Sequence, residues 1–279
     1  MAEHFASDWL ALREPVDHRS RAEELIEPFL TWWNVESARR GDPALSVVDL
    51  GCGTGSNLRY LAPRLAGPQR WTLVDHDAAL LERIEIPEVP DLLVSRVRRD
   101  LTNDEAAPLA SSDGGDAPAG LVTASALFDL VSERWLRRLV EAVVQEGAAA
   151  LFALSYDGTI SWDYTDPDDV VVRLAVNEHQ RGEKGFGTAL GPTAGDAIEA
   201  AFQREGYRTF RALSPWEIGT EEAELARQLV AGWCTAAAEQ RPDRAVVIRS
   251  WGERRLAAID AGTSRLSVGH IDVLALPPS

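Results

Sequence analysis

Cysteine is scarce in this sequence of 279 residues, which has two, Cys52 and Cys234. Two cysteines so far apart in the chain predict neither a disulfide framework nor a metal-ligand cluster, so we interpret each as a small buried residue. The chain also lacks any run near the roughly 18 consecutive apolar residues of a membrane span. Its first residues lack the basic and apolar regions of a signal peptide. We therefore expect a cytoplasmic protein with no metal and no membrane association.

Basic residues are scarce as well, with 28 Lys and Arg against 44 Asp and Glu and a formal net charge of -16. Such a charge repels phosphate backbones and anionic lipid, so the composition disfavours nucleic acid as a partner. The densest basic cluster, Arg96, Arg98 and Arg99, has acids close by, and we interpret it as solvated surface. The apolar fraction of 45% is that of an ordinary globular protein,.

Three alternate glycines, Gly51, Gly53 and Gly55, follow an apolar run at residues 45–50 that predicts a buried strand,. Such a turn tolerates positive φ and lets the backbone approach a ligand closely. A dinucleotide loop of the form G-x-G-x-x-G needs its last glycine at position 56, where this chain has Ser56,. The spacing therefore disfavours a pyrophosphate site.

Acids follow the next two predicted strands. Asp75 ends a strand at residues 71–74, and Asp100 with Leu101 follows a strand at residues 92–98. The interval from the glycine loop to Asp75 is about one helix and one turn, which brings Asp75 to the carboxyl edge of a neighbouring parallel strand. There a carboxylate can accept hydrogen bonds from both hydroxyls of a ribose, whereas Asp77 more plausibly caps the next helix.

These features together resemble motif I and the following motifs of the class I S-adenosylmethionine-dependent methyltransferases, over residues 46–155. The resemblance implies an α/β fold, with a doubly wound, Rossmann-like sheet of seven strands whose antiparallel last strand is inserted between strands five and six. It implies S-adenosyl-L-methionine as cofactor and S-adenosyl-L-homocysteine as product. Carried over residue by residue, it places Asp49, Gly51, Gly53 and Gly55 at the methionine end of the cofactor, with Cys52 in the same loop. It places Asp75 at the ribose and Asp100 with Leu101 at the adenine. Ser125, at the end of strand four, would lie near the transferred methyl group.

The chain departs from that family at two places. Residues 102–120 are rich in Ala, Asp, Gly and Ser where the family has a helix, and we interpret them as an exposed loop,. The fourth strand, residues 120–125, is not followed by the Asn-Pro-Pro-Tyr or Asp-Pro-Pro-Tyr form, which disfavours a DNA base or glutamine as methyl acceptor.

The rest of the chain is assigned by its periodicity. Residues 1–279 are expected to form one domain around a cofactor-binding core at 43–155. Ahead of the core, residues 1–42 comprise a helix from Ser20, which with Glu23 forms a capping box, and an arm at 9–15 that either covers the cofactor or only packs on the sheet,. Two substrate-side insertions, 156–191 and 214–264, include two helices that resemble a lid, with aromatic residues that favour core packing.

Polar residues after strand five are the candidates for substrate binding. We read Tyr156 to Gly158 as a turn, residues 160–164 as a short strand and residues 176–187 as a polar loop,. Tyr156, Arg181 and Lys184 are candidate substrate contacts, because loops over α/β sheets commonly carry specificity. His179 is the candidate base, since an imidazole pKa suits proton removal at neutral pH.

The favoured function is methyl transfer to oxygen or nitrogen of a small-molecule acceptor by in-line displacement. The alternative is a non-catalytic S-adenosylmethionine-binding module or partner subunit. An aminopropyl transferase is a third hypothesis, but the chain has no paired-acid polyamine signature after strand four. The lid-like helices and polar loop favour an enclosed acceptor site and hence the enzyme. No oligomeric state follows from the sequence.

Overall fold

The computed structural model describes residues 7–102, 109 and 118–278. Most of the predicted loop at 102–120 lies outside these residues. In the described part, the strands in chain order are β1 (Leu45–Leu50), β2 (Gln69–Asp75), β3 (Leu92–Arg98), β4 (Leu121–Ser125), β5 (Ala149–Trp162), β6 (Arg208–Leu213), β7 (Trp216–Ile218) and β8 (Leu266–Leu276). The helices are α1 (Ser7–Ser20), α2 (Ile26–Arg40), α3 (Ser56–Leu61), α4 (Ala78–Glu82), α5 (Glu133–Glu146), α6 (Asp169–Gln180), α7 (Ala194–Arg204), α8 (Ala223–Gln240) and α9 (Ala245–Asp260).

The strands form one mixed sheet in the order β3-β2-β1-β4-β5-β8-β6. The short strand β7 pairs with residues 266–268 of β8, and β6 pairs with residues 271–276 of the same strand. Strands β1 to β5 pair in parallel, and β8 is antiparallel to both β5 and β6. This confirms the predicted doubly wound α/β fold with an antiparallel last strand between the fifth and sixth. The three-residue strand β7 was not predicted.

Helices bury both faces of the sheet. The central strand β4 has four consecutive fully buried residues, as expected of a strand covered on both sides,. Phe29 and Trp33 of α2 pack on one face with α3, and Trp135 of α5 and Phe202 of α7 pack on the other. Because both faces are covered, the carboxyl edge of the parallel strands is where a ligand can reach the sheet.

Two predicted helix caps are present in the structure, and a third is not. Ser132 accepts a hydrogen bond from the Trp135 N–H at 3.2 Å and begins α5, and Asp77 caps α4 through the Ala79 N–H at 2.8 Å, as predicted. The predicted capping box at Ser20 is wrong, because Ser20 ends α1 and α2 begins at Ile26 without a side-chain cap.

Strand β5 is longer than predicted. The expected turn at Tyr156 to Gly158 and the separate strand at 160–164 are wrong, since pairing with β8 continues to Trp162. The register shifts twice along this pair, near Leu154 with φ of 54° and near Gly158 with φ of 90°. These residues absorb the extra length as bulges, and a glycine with positive φ is as typical of a bulge as of a turn.

Helices α6, α8 and α9 cover the extended part of β5 and β8. Their apolar residues form a third core cluster that includes Val172, Val176, Leu225 and Trp251. The predicted polar loop at 176–187 is therefore wrong over residues 176–180, which belong to α6. Buried Val172, Ala175 and Val176 fix this helix through its middle, while its last turn is polar. No helix within the described ranges has the length and apolar character needed to cross a bilayer.

Asp272 of β8 joins separate parts of the fold. It is 1% exposed, and its Oδ1 accepts hydrogen bonds from the Leu154 N–H at 2.7 Å and the Ser214 hydroxyl at 2.5 Å. Its Oδ2 accepts from the Ala22 N–H at 3.0 Å and lies 3.5 Å from Nε of Arg21. One buried carboxylate thus holds the β5 bulge, the connection before β7 and the link between α1 and α2.

Replacing Asp272 with Ala should lower the free energy of unfolding by about 3–5 kcal/mol, because buried N–H groups and the Arg21 guanidinium lose their acceptor. Urea denaturation measures the change. The control is Asp260→Ala, which removes the exposed partner of Arg227 at 2.8 Å and should change little,. Equal losses for the two variants would contradict the role assigned to Asp272.

Candidate functional site

Cavities open at the carboxyl ends of β1, β2 and β4, and three of them share lining residues with one another. Cavity A encloses about 890 Å³ including its open mouth. Its lining includes these predicted residues: Gly51, Gly53, Asp75, Asp100, Leu101, Ser125 and Lys184. Cavity B adjoins it below the glycine loop and is lined by Asp49 and Cys52, again with Gly51, Gly53 and Ser125.

The glycine loop uses positive φ at each predicted position, with 64° at Gly51, 53° at Gly53 and 82° at Gly55. Gly51 and Gly53 border the cavities, but Gly55 does not line any of the three. A Cβ at Gly55 would lie 2.9 Å from Cγ2 of Ile84. Its glycine is therefore required by packing and backbone conformation, whereas the first two allow the chain to approach a ligand.

Asp75 is buried at the end of β2 and fixes the glycine loop. Its Oδ2 accepts from the Gly53 N–H at 2.8 Å, and its Oδ1 accepts from the Asp77 N–H at 2.9 Å. A carboxylate has about four acceptor positions, so these bonds leave capacity for further donors on the side that borders cavity A. The predicted ribose acid thus has a structural role as well as a place in the cavity.

Asp100 and Leu101 lie together at another wall of cavity A. Asp100 is exposed and accepts from the backbone N–H of Thr102 at 2.9 Å and from its hydroxyl at 2.6 Å, and these bonds lower the pKa of Asp100. Leu101 is buried, and its carbonyl accepts from Nε1 of Trp135 at 2.8 Å. Residues 100–102 therefore form both a hydrogen-bonded turn and part of the wall of cavity A.

Asp49 is fully buried beside cavity B. Its Oδ1 accepts from Nδ2 of Asn57 at 2.8 Å, and Oδ1 of Asn57 accepts from Nη1 of Arg21 at 2.9 Å. Oδ2 of Asp49 has no hydrogen-bond partner among the described residues. Burial raises the pKa of Asp49 to about 7. Burial also raises the pKa of the Cys52 thiol, which is consistent with a small packing residue rather than a nucleophile,.

Helix α1 lies over the glycine loop and contributes an ion pair to the site. Nε of Arg13 donates to Oδ2 of Asp17 at 2.8 Å, and Oδ1 of Asp17 has no hydrogen-bond partner in the described part of the chain. Leu10 reaches the loop, since its Cδ1 lies 3.2 Å from where a Cβ of Gly53 would stand. Arg13 lines all three cavities.

Polar contacts of its second half hold α1 over the glycine loop. Glu14 receives two hydrogen bonds from Arg59, at 2.7 and 2.6 Å, and Nε2 of His18 lies 3.0 Å from both the carbonyl and the hydroxyl oxygen of Ser56. The sequence left open whether the arm at 9–15 covers the cavity or only packs on the sheet. It forms part of α1 and covers the cavities.

Cavity C continues from cavity A past Ala126 and Leu130 and encloses about 720 Å³ including its mouth. Its walls are largely aromatic and aliphatic, with Trp9, Leu154, Tyr156, Val176, Trp216, Leu229, Trp233 and Val268. Tyr156, a predicted substrate residue, donates its hydroxyl hydrogen to Oδ1 of Asn177 at 2.7 Å, and burial raises its pKa.

His270 of β8 is the histidine of cavity C. Its ring centroid lies 4.8 Å from that of Trp216, and the guanidinium carbon of Arg13 lies 5.6 Å from the Trp216 centroid. Burial, with a smaller effect of Arg13, lowers the pKa of His270 to about 3. The imidazole is therefore neutral at physiological pH.

Two predicted substrate-side residues lie elsewhere. His179 lies in the last turn of α6 with Nε2 3.2 Å from Oε2 of Glu239, and it lines none of the three cavities. Arg181 is exposed just past α6 and lines none of them either. Lys184 borders cavity A rather than cavity C. Helix α6 ends at Gln180, so His179 lies in its last turn and Arg181 directly after it.

The sequence interpretation missed Arg13, Asp17, Trp216 and His270. Arg13 and Asp17 stand four residues apart, a spacing that places them on one face of a helix. His270 interrupts the apolar run of the last strand, which is a signal for a buried polar residue with a specific role. Arg99, which we interpreted as surface, lines cavity A. No group of His, Cys, Asp and Glu in the described ranges could hold a metal ion.

Comparison with known proteins finds similar solved structures but no matching family model and no matching curated protein. A methyltransferase from Geobacter sulfurreducens, solved with S-adenosyl-L-homocysteine, is 17% identical over 90% of this chain and 91% of its own, with a TM-score of 0.41. An arsenic(III) S-adenosylmethionine methyltransferase from Chlamydomonas reinhardtii is 15% identical over 84% of this chain and 64% of its own, with a TM-score of 0.38. A phosphoethanolamine N-methyltransferase from Haemonchus contortus is 12% identical over 88% and 52%, with a TM-score of 0.38.

The pKa of Asp49 predicts how stability depends on pH. Its ordinary value is 3.8 and its folded value about 7, so between them the folded state holds the proton that the unfolded state has lost. The stability from that proton is lost as pH rises through the folded value. Relative to Asp49→Asn, which does not titrate, the wild type should lose about 2–3 kcal/mol of unfolding free energy between pH 5 and pH 8.

Urea denaturation of both proteins at the two pH values gives this difference, and contributions from other titrating groups cancel. A difference between the proteins that is the same at pH 5 and pH 8 would show that Asp49 titrates normally.

Proposed function

We propose that this protein is an S-adenosylmethionine-dependent methyltransferase that acts on a small-molecule acceptor. The observation that carries the proposal is the joining of cavities A and B around the glycine loop, which sets acids from three strand ends beside an Arg–Asp pair of α1. The acids are Asp49, Asp75 and Asp100, and the pair is Arg13 with Asp17.

Cavity B fits the amino-acid end of that cofactor. An ammonium group needs acceptors, and Oδ2 of Asp49 and Oδ1 of Asp17 are buried carboxylate oxygens without hydrogen-bond partners in the described residues. A carboxylate needs donors, and neither Nη group of Arg13 has a hydrogen-bond partner among the described residues, because its bond to Asp17 is through Nε. Carboxylates around the loop would repel a pyrophosphate, which supports a phosphate-free nucleoside over a dinucleotide.

Cavity A fits the nucleoside. Asp75 would accept the ribose hydroxyls with the capacity left after its bonds to the loop, and Asp100 with Leu101 would border the adenine. Leu80 and Leu127 add apolar surface to the same cavity. Ser125 stands at the end of β4, between cavities A and B.

When bound, this cofactor supplies a methyl group on a carbon already activated by a sulfonium, so the protein has chiefly to align the acceptor and exclude water. Helix α1 covers the glycine loop and excludes water from it. Ala126, Leu130 and Arg13 border both cavity A and cavity C, which sets a second ligand next to the first. Neutral His270 can hold a hydrogen bond to the acceptor without carrying charge.

The alternative is a module that binds the cofactor without turnover. Cavity C supports the enzyme instead, because a binding module has no need of a second enclosed cavity that continues from the first. Incubation with radiolabelled methyl donor and fractionated cell extract tests this, and label should appear in the small-molecule fraction. Label in protein or RNA would contradict a small acceptor, and no label in any fraction would favour the non-catalytic module.

Replacing Arg13 with Gln should weaken S-adenosyl-L-homocysteine binding by about 10-fold or more, because a charge-assisted pair with the ligand carboxylate is lost. The affinity for 5′-methylthioadenosine, which lacks the amino-acid end, should change by less than about 3-fold. Calorimetry with both nucleosides measures the two effects. Arg19→Gln is the control, since Arg19 lies on the same helix but pairs with Glu222 at 2.8 Å, outside the cavities.

An equal loss for both nucleosides would place Arg13 away from the amino-acid end. Tight binding of NAD with no binding of either nucleoside would overturn the cofactor assignment itself.

A further inference from the structure

Cavity C has a chemical character that narrows the choice of acceptor. Resting on the proposed function, we infer that the acceptor is an uncharged, planar aromatic molecule that carries a hydroxyl or ring N–H and binds in cavity C between Trp216, Trp233 and His270. The inference follows from the position, walls, charge and hydrogen-bonding groups of the cavity.

Cavity C shares Arg13, Ala126 and Leu130 with cavity A, so a molecule in it lies directly beside whatever occupies the cofactor side. The backbone at this junction is unusual, because Ala126 has a φ of 53° and Leu154, on the neighbouring strand β5, has a φ of 54°. Such conformations are costly for residues with a Cβ and are found where structure serves binding.

The walls favour a flat apolar ring. Trp9, Trp216, Trp233 and Tyr156 contribute aromatic surface, and aliphatic side chains complete most of the rest. Trp233 packs against Trp162 with ring centroids 6.4 Å apart, and Trp216 packs against His270. The rings are thus held in place before a ligand arrives, and aromatic rings stack or meet edge to face with a planar partner.

The charges in cavity C oppose an ionised acceptor. Among the described residues that line it, the ionised side chains are Arg13 and Asp129, one of each sign. An ammonium ligand over Trp216 would meet the Arg13 guanidinium, which already lies 5.6 Å from that ring centroid. A carboxylate ligand would meet Asp129, while the Nη groups of Arg13 are already assigned to the carboxylate of the cofactor. A neutral molecule meets neither repulsion.

Cavity C contains buried hydrogen-bonding groups whose chemistry indicates which ligand groups they can bind. Nδ1 of His270 and Nε1 of Trp216 are buried without hydrogen-bond partners in the described part of the chain, and both side chains line cavity C. His270 is 6% exposed and Trp216 4%. A neutral imidazole offers one acceptor nitrogen, which a hydroxyl or ring N–H satisfies, and the indole N–H offers a donor to an oxygen.

Three probes with one ring system and different charge test the inference: 2-naphthol, 2-naphthoate and 2-naphthylmethylammonium. Calorimetry is done on protein saturated with S-adenosyl-L-homocysteine at pH 7. We expect 2-naphthol to bind at least about 10-fold more tightly than either ion, because burial of an unpaired charge is costly. Tighter binding of naphthoate would assign Arg13 to the acceptor, tighter binding of the ammonium would make cavity C a cation site, and either would overturn the inference.

His270→Phe keeps an aromatic ring and removes the acceptor nitrogen. It should weaken 2-naphthol binding by about 5-fold or more and leave unsubstituted naphthalene unchanged, because naphthalene makes no hydrogen bond. His179→Phe, outside the cavity, is the matched control and should change neither. Unchanged affinity for S-adenosyl-L-homocysteine shows that a variant is folded, and Trp233→Leu, which should weaken both probes, replaces His270→Phe if that variant does not fold.

The two proposals fail separately. If S-adenosyl-L-homocysteine does not bind, the proposed function fails, and the same three probes on the protein alone still decide the chemistry of cavity C. If it binds and none of the probes does, or if His270→Phe and His179→Phe behave alike, the acceptor inference fails and the proposed function stands.

Discussion

The buried carboxylate of Asp272 is the constraint on which the rest of the site depends. It accepts hydrogen bonds from the bulge of β5 and from the backbone between α1 and α2, and it lies beside Arg21. The bulge sets one wall of cavity C, and the link sets where α1 crosses the glycine loop. A single charge buried in the last strand, far from the loop in sequence, therefore determines how the cavities meet. Its cost of desolvation is offset because every oxygen has donors.

Much of the fold was readable from local pattern. The strands at 45–50 and 92–98 and the helix after Ser132 were predicted at or near their observed ends, because their burial alternates or repeats with clear periods and their caps lie in the sequence,. The failures occur where tertiary pairing overrides local signals. Gly158 reads as a turn from sequence, yet pairing with β8 carries the strand through it.

The residues of the candidate site could likewise be predicted only in part. Residues at the ends of the parallel strands could be predicted, since sequence order alone brings those ends to one edge, and all but Gly55 among the predicted cofactor residues line cavity A or B. Residues on α1 and β8 could not, because nothing local fixes where an N-terminal helix or a last strand lies against the loop. The position of His179 could not be predicted either, because it was assigned from its place in the sequence, whereas α6 sets it beside Glu239 and outside the three cavities.

Helix α1 borders all three cavities through one arginine, and this has a kinetic consequence. The contacts of Glu14 and His18 hold this helix over the glycine loop, where a ligand in cavity B lies beneath it. Because the same helix forms a wall for both ligands, one opening event exposes both of them to solvent. For two ligands bound as proposed, the residence times are thereby coupled through the motion of one helix.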